Sequence, residues 1–168
     1  MWIYKKMLLH PVNIKCKDIK LAKYLVTQFG GPYGELGAAL RYLTQRYTMP
    51  DNKGKALLTD IGTEELGHVE MICTMVYQLL DGASEAEMEA HGLTSQFVEH
   101  AFAPFPSDSN GVPFSASSFA VTGDPVADLA EDMAAEEKAR IAYERLIKLT
   151  KDEGLKDALT YLKNREIA

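Results

Sequence analysis

The chain has 168 residues, of which 46% are hydrophobic and 25% charged, and a net charge of −6. This length buries a core without disulfide or metal staples, and the composition is that of a globular protein, expected as one domain over residues 1–168. The acidic balance argues against nucleic acid or an anionic membrane surface as the main partner. The two cysteines, Cys16 and Cys73, form no C-x-x-C pair, so neither a zinc ribbon nor a redox dithiol is signalled, and two free thiols in a reducing compartment are expected. The N-terminus, Met1-Trp2-Ile3-Tyr4-Lys5-Lys6, lacks an apolar stretch of signal-peptide length. No apolar run approaches the roughly 20 residues of a membrane helix. A cytoplasmic location without a membrane partner is the expectation.

The first helical region is expected from about Lys17 to Tyr47, with Gly30-Gly31-Pro32 either bending one helix or splitting it in two. Met49-Pro50-Asp51 ends it, and Asp51 caps a second helix that runs to about Leu80, where Asp81-Gly82 supplies a glycine stop. The stretch Ala83–Gly123 carries Pro104, Pro106 and Pro113 and a Ser/Asn/Gly-rich passage, so it reads as a long crossover with short helical turns near Ser84–Ala90 and Thr94–His100. Asp124-Pro125 marks a third helix, N-cap followed by proline in the first turn, running to about Lys151. Gly154 separates it from a fourth, from Leu155 to the end. Four helices with one long connection between the second and third predict an all-α, ferritin-like four-helix bundle.

Steps of three and four residues trace the core-facing stripe of each helix. They give Leu21, Leu25, Gln28, Pro32, Glu35, Ala39, Tyr42 on the first and Leu58, Ile61, Glu65, His68, Ile72, Met75, Leu79 on the second. The third reads Leu129, Met133, Glu136, Arg140, Tyr143, Ile147 and the fourth Leu155, Leu159, Leu162, Glu166. Every helix thus places a glutamate on its apolar stripe. One such glutamate usually lies at a helix end or reaches solvent, and a lone buried histidine is usually a satisfied core residue. Buried carboxylates near one another repel, however, and must take up protons or bind cations. Inward glutamates with a Glu-x-x-His pair are the donor set of di-metal carboxylate bundles. Glu64, Glu70, Glu131 and Glu137 fall off the stripes and read as solvated; Glu137 is the nearest competitor of Glu136. Carboxylate and imidazole donors suit manganese or iron better than copper(I), with zinc less natural.

With these residues in view, the chain resembles the manganese catalases, and more closely the short branch found in bacterial spore coats. The likeness runs from about Leu8 to Ala168. It is carried by Gly30-Gly31-Pro32-Tyr33-Gly34-Glu35-Leu36, Tyr42, Glu64-Glu65-Leu66-Gly67-His68, Gly123-Asp124-Pro125 and Arg165-Glu166. The resemblance implies two manganese ions, with iron as the alternative. It makes Glu35 and His68 ligands of the first metal, Glu65 the bridge and Glu136 a ligand of the second. It assigns Tyr42 as a hydrogen-bonding tyrosine beside the metals and Glu166 as a carboxylate that handles protons. The implied reaction is disproportionation of hydrogen peroxide to water and dioxygen, in a homo-oligomer, a hexamer in the family, located in the cytoplasm or, with other coat proteins, in the spore coat. The crossover is expected to cover the channel to the metals and to make subunit contacts through Phe97, Phe102, Phe105, Phe114 and Phe119.

One feature departs from the family pattern. The family's second histidine ligand lies three residues beyond the Glu166 position, and the 168 residues end before it. His10, His91 and His100 all lie outside the third and fourth helices. The chain is therefore expected to hold its second metal weakly and to be impaired as a catalase. A structural coat subunit with a vestigial metal site, and a di-iron ferritin-like oxidase or peroxidase, are the alternatives.

Overall fold

A computed structural model describes residues 3–168, so the Met1 and Trp2 part of the N-terminal reading lies outside the described residues. The described residues form eight α-helices and two 3-10 turns joined by loops, with one isolated β-bridge, Ser107 to Pro113, in the crossover. The first helical region is split: α1 spans Ile19–Leu25, α2 Thr27–Gly30 and α3 Glu35–Gln45. Asp18 caps α1 by accepting from the Leu21 amide. α4 spans Asn52–Leu80, starts on an Asp51 cap and stops before Gly82, whose φ of +71° is the left-handed conformation glycine adopts freely. The crossover contains α5, Glu85–Ala90, and α6, Thr94–His100. Ser84 and Glu87 close a reciprocal capping box at the start of α5. α7 spans Pro125–Leu149, with the Asp124 carboxylate accepting from the Val126 and Ala127 amides, and α8 spans Glu153–Arg165 on an Asp152 cap. No helix among the described residues is long and apolar enough to cross a membrane.

The bundle is formed by the α1–α3 segment, α4, α7 and α8, in the ferritin-like arrangement, with the crossover between α4 and α7. Its main apolar core joins Leu21, Leu25, Ile72, Met75, Leu79, Tyr143, Leu155, Leu159 and Leu162, so all four limbs contribute. The stripes of the first, second and fourth limbs are largely as expected, although Pro32 is exposed and Ile61 half-buried.

The third stripe is different. Asp128, Asp132, Ala135, Ala139, Tyr143 and Leu146 are the buried residues of α7, while Leu129 and Met133 are 38% and 72% exposed. The helix is turned by about one position from the apolar reading. Alanines face inward, and the two inward aspartates are compensated by hydrogen bonds. Asp128 accepts from the Thr122 amide and hydroxyl and from the Gly123 amide. Asp132 accepts from Gln45 Nε2 at 3.0 Å and pairs with Arg41 Nε at 3.0 Å. Burial costs are met by partners here rather than avoided by apolar side chains.

The break at Gly30 has a packing cause. A Cβ on Gly30 would fall on the Pro106–Ser107 backbone, so the crossover can lie against α2 only where the side chain is a hydrogen. Gly30→Ala is expected to destabilise the chain by about 1–3 kcal/mol through overpacking. Gly37→Ala, whose Cβ would meet Phe114 and the Pro32 carbonyl at an ordinary 3.7 Å, is expected to be neutral or to stabilise by up to about 1 kcal/mol. Urea midpoints of the two variants check this contrast; equal midpoints would contradict it.

Candidate metal centre

Helix α3 opens on Glu35, which follows the turn Pro32-Tyr33-Gly34 and is buried at once. α4 contributes Glu65 and His68 one turn apart on a single face, both buried. α8 ends at Arg165, and Glu166 is its C-cap residue, half-buried. One ligand atom from each of Glu35, Glu65, His68 and Glu166 lies within 4.8 Å of all the others. His68 Nδ1 donates to Glu65 Oε2 at 2.8 Å and lies 3.6 Å from Glu35 Oε2.

Glu136 on α7 stands beside this group rather than within it. It is half-buried, shares a hydrogen bond with Glu166, and lines the same small cavity as Glu35, Tyr42 and Glu166. The phenol of Tyr42 donates to Glu136, and Arg41 Nη2 donates to the Tyr42 oxygen at 3.2 Å. Glu137 is exposed and paired with Arg140 at 2.7 Å.

Several residues of this neighbourhood have roles that an apolar-stripe pattern does not reveal. Tyr143 donates its phenol proton to Glu35. Glu35 and Tyr42 are seven residues apart on α3, and Glu136 and Tyr143 are seven apart on α7. Each tyrosine serves the carboxylate of the other helix, and this shared spacing was the available signal. Arg41 and Asp132 form a buried ion pair behind Tyr42, which alternation of apolar residues does not reveal. Glu64 is half-buried rather than solvated: Arg165 Nε reaches it at 2.5 Å, and His68 Nε2 lies 3.7 Å away.

The crossover also departs from its expected role. The cavity beside the carboxylates is lined by Pro32, Tyr33, Gly34, Ala38, Ala135 and Ala139 together with the polar groups, and by no residue of 83–123. The turn before α3 closes it instead. Its volume of about 10 Å³ is near the minimum for one water.

The electrostatics show how crowded the carboxylates are. Burial, then the charge of Glu65, holds Glu35 well above the ordinary carboxylate range. Burial, then the charge of Glu35, pushes Glu166 up to about 12. Burial pushes Glu65 up as well, but hydrogen bonds with Glu35 and His68 outweigh it and hold Glu65 low. Burial favours a neutral His68, yet Glu35, Glu64 and Glu65 around it raise its value far above that of free histidine. Without a cation, protons do the neutralising. A metal fits here: the Glu166 Oε1 atom is buried with no hydrogen-bond partner among the described residues, and several carboxylates with one imidazole form a donor set suited to manganese or iron.

A helical bundle whose limbs converge buried carboxylates and an imidazole on one point defines a metal-binding protein of the ferritin-like class. The chain belongs to the manganese-containing catalase family, whose match spans residues 1–168. It is 53% identical over 167 residues to Protein CotJC of Bacillus subtilis (strain 168), covering 99% of this chain and 88% of that one. It is 36% identical over 171 residues to a probable manganese catalase of Clostridium acetobutylicum, covering 100% and 76%. The crystal structure of KatB, a manganese catalase from Anabaena, superposes with a TM-score of 0.90 at 38% identity, covering 99% of this chain and 75% of that one. The resemblance read from the motifs is borne out, and manganese is the metal of the family.

Glu35, Glu166 and His68 all have folded values raised above their unfolded ones. Each therefore contributes stability that is complete below its unfolded value and is lost as pH rises through the folded value. Glu65, shifted the other way, contributes stability that is fully present above the ordinary carboxylate value of 4.5 and is lost only as pH falls below it, so it adds no slope near neutral pH. Above about pH 6.5 the native metal-free chain thus binds more protons than the unfolded one. Its urea midpoint in chelator is expected to fall steadily from about pH 6.5 to about pH 9, and manganese, by displacing those protons, is expected to flatten the profile. A metal-free midpoint that rises over this range would contradict the assignment.

Proposed function

We propose that this chain disproportionates hydrogen peroxide to water and dioxygen at a pair of manganese ions. The observation that carries the reading is the convergence of Glu35, Glu65, His68 and Glu166 within 4.8 Å in the buried interior of a bundle. Glu35 and His68 would hold the first ion, Glu65 would be shared by both, and Glu136 would serve the second, with Glu166 within reach of the group. When bound, the metal pair supplies and accepts the two electrons that each peroxide requires.

The protein's own part is positioning and proton handling. Tyr42 and Tyr143 hold Glu136 and Glu35 in fixed rotamers through their phenols. The buried Arg41–Asp132 pair fixes Tyr42 from behind. Glu166 lines the cavity beside Glu136 and brings a carboxylate oxygen within 4.8 Å of the ligand atoms of Glu35, Glu65 and His68. With the metals bound, it would be placed to pass a proton to one peroxide and to take one up from the next. Small side chains, Gly34, Ala38, Ala135 and Ala139, wall the cavity and exclude bulky molecules.

One observation favours a second reading, a coat subunit with a partial site. Among the four histidines, only His68 reaches the carboxylates. His10 pairs with Asp157 at 2.7 Å, His91 bonds the Glu87 carbonyl at 2.8 Å, and His100 stacks on Phe105 with ring centres 3.7 Å apart. Within residues 3–168 the second ion would draw on carboxylates alone, and divalent manganese binds weakly to sparse sites. The 168-residue chain is expected to bind one manganese ion tightly and a second weakly, and to release oxygen from peroxide slowly. A histidine appended after Ala168 is expected to tighten the second site and speed oxygen release. Two tightly bound manganese ions with rapid oxygen release from the unaltered chain would overturn the impairment, and iron recovered in place of manganese would favour the di-iron alternative.

The same reading makes the protein a homo-oligomer, a hexamer as in the family, with a place in the spore coat among other coat proteins. Phe97, Phe102, Phe105, Phe114 and Phe119 all retain solvent exposure, and Val126 and Met133 on α7 are 79% and 72% exposed. Neighbouring subunits would cover such surface. Light scattering at micromolar concentration is expected to give a mass well above the 18.6 kDa of one chain; a monodisperse monomer would contradict this.

A further inference from the structure

The imidazole of His68 points its two nitrogens in different directions. Nδ1 faces the carboxylate group, 2.8 Å from Glu65 Oε2 and 3.6 Å from Glu35 Oε2. Nε2 is buried with no hydrogen-bond partner among the described residues, and Glu64 Oε1 lies 3.7 Å from it. That gap is too long for a hydrogen bond and within reach of a small side-chain rotation. Glu64 is itself held from the other side. Arg165 Nε donates to its Oε1 at 2.5 Å and Arg165 Nη2 to its Oε2 at 3.0 Å. A guanidinium gripping both carboxylate oxygens fixes the plane of the group as well as its place.

We propose that Glu64 is a positioning residue for His68: it accepts a hydrogen bond from the Nε2 proton and so presents Nδ1 to the metal, while Arg165 holds Glu64 in register. The inference rests on His68 being a metal ligand, as in the function proposed above. A histidine that binds metal through one nitrogen commonly gives its other N–H to a carboxylate, which sets both ring orientation and donor strength. Arg165 also directly precedes Glu166, so one ion pair ties the α4 residue next to the metal-bridging glutamate to the end of α8 that carries the cavity carboxylate. An ordinary surface pair would do neither, and would contribute little to any property of the site.

The test compares the unaltered full-length chain with Glu64→Ala, Glu64→Gln and Arg165→Ala. Two quantities are read: the His68 ring orientation in metal-free crystals, and the Mn²⁺ dissociation constant by competition with a chelator. Glu64→Ala is expected to give a turned or doubly oriented ring and to weaken Mn²⁺ binding by about 10–100-fold. Glu64→Gln keeps an oxygen that accepts from Nε2, so it should retain the ring orientation and most of the affinity. Arg165→Ala should free Glu64 and weaken Mn²⁺ by a smaller factor. Glu70→Gln, on the same helix and bonded to the Tyr4 phenol, should change neither quantity. A single unchanged ring orientation in Glu64→Ala, or unchanged Mn²⁺ affinity there, overturns the proposal. Should Glu64→Ala fail to fold, Arg165→Ala takes its place, and an unchanged ring orientation or an unchanged Mn²⁺ affinity in that variant overturns the proposal equally. Failure of the unaltered chain to bind Mn²⁺ would remove the proposed metal centre, and the ring orientation would then decide the role of Glu64 alone.

Discussion

The mutual repulsion of buried carboxylates around His68 is the constraint on which the rest of this structure depends. Glu35, Glu65 and Glu166 bring ligand atoms within 4.8 Å of one imidazole, in an interior where an uncompensated charge is very costly. Burial and mutual repulsion raise Glu35 and Glu166, and the acids around His68 raise it too, so each holds its proton more tightly than in the unfolded chain. Each of those protons marks a place where a cation would serve instead. The centre is therefore a source of strain unless it is filled, and the surrounding bundle must be stiff enough to keep the acids together.

That stiffness comes from polar cross-bracing as much as from the apolar core. α3 and α7 exchange phenol-to-carboxylate hydrogen bonds, Tyr42 to Glu136 and Tyr143 to Glu35. Behind Tyr42, the buried pair Arg41 and Asp132 is joined by Gln45, which also reaches the Ala120 carbonyl of the crossover. Burial pushes Asp132 up to about 6, against the pull of Gln45 and Arg41, which still leaves it ionised at neutral pH. A buried ion pair seldom adds net stability over an apolar pair, but losing either partner leaves a bare charge inside the protein. Its role here is geometric, since it fixes which face α7 turns toward α3.

The crossover is organised by the same need to satisfy buried polar groups. It lies against α2 where Gly30 leaves room, and the Ser109 amide donates to Thr27 Oγ1 at 2.9 Å. Thr122 and Gly123 then satisfy the buried Asp128 just as the chain enters α7. The segment thus helps to set the start of the helix that carries Glu136, without lining the cavity.

Residue order alone determined the approximate helix limits, the caps Asp51 and Asp124, the break at Gly30-Gly31-Pro32 and the placing of Glu35, Glu65, His68 and Glu166 on core-facing stripes. These follow from local rules of propensity, capping and three-to-four periodicity, which need no knowledge of neighbours. The rotation of α7 was decided only by tertiary structure. Leu129 and Met133 look like core residues in the sequence, yet Asp128 and Asp132 are the ones inside, because their partners Thr122, Gly123, Gln45 and Arg41 come from other segments. Glu64 looks solvated in the sequence for the same reason, since Arg165 is 101 residues away along the chain. Periodicity measures the apolar character of a helix face. It cannot register a charged side chain whose burial is made tolerable by a donor elsewhere in the chain, and only the folded structure shows which charges have one.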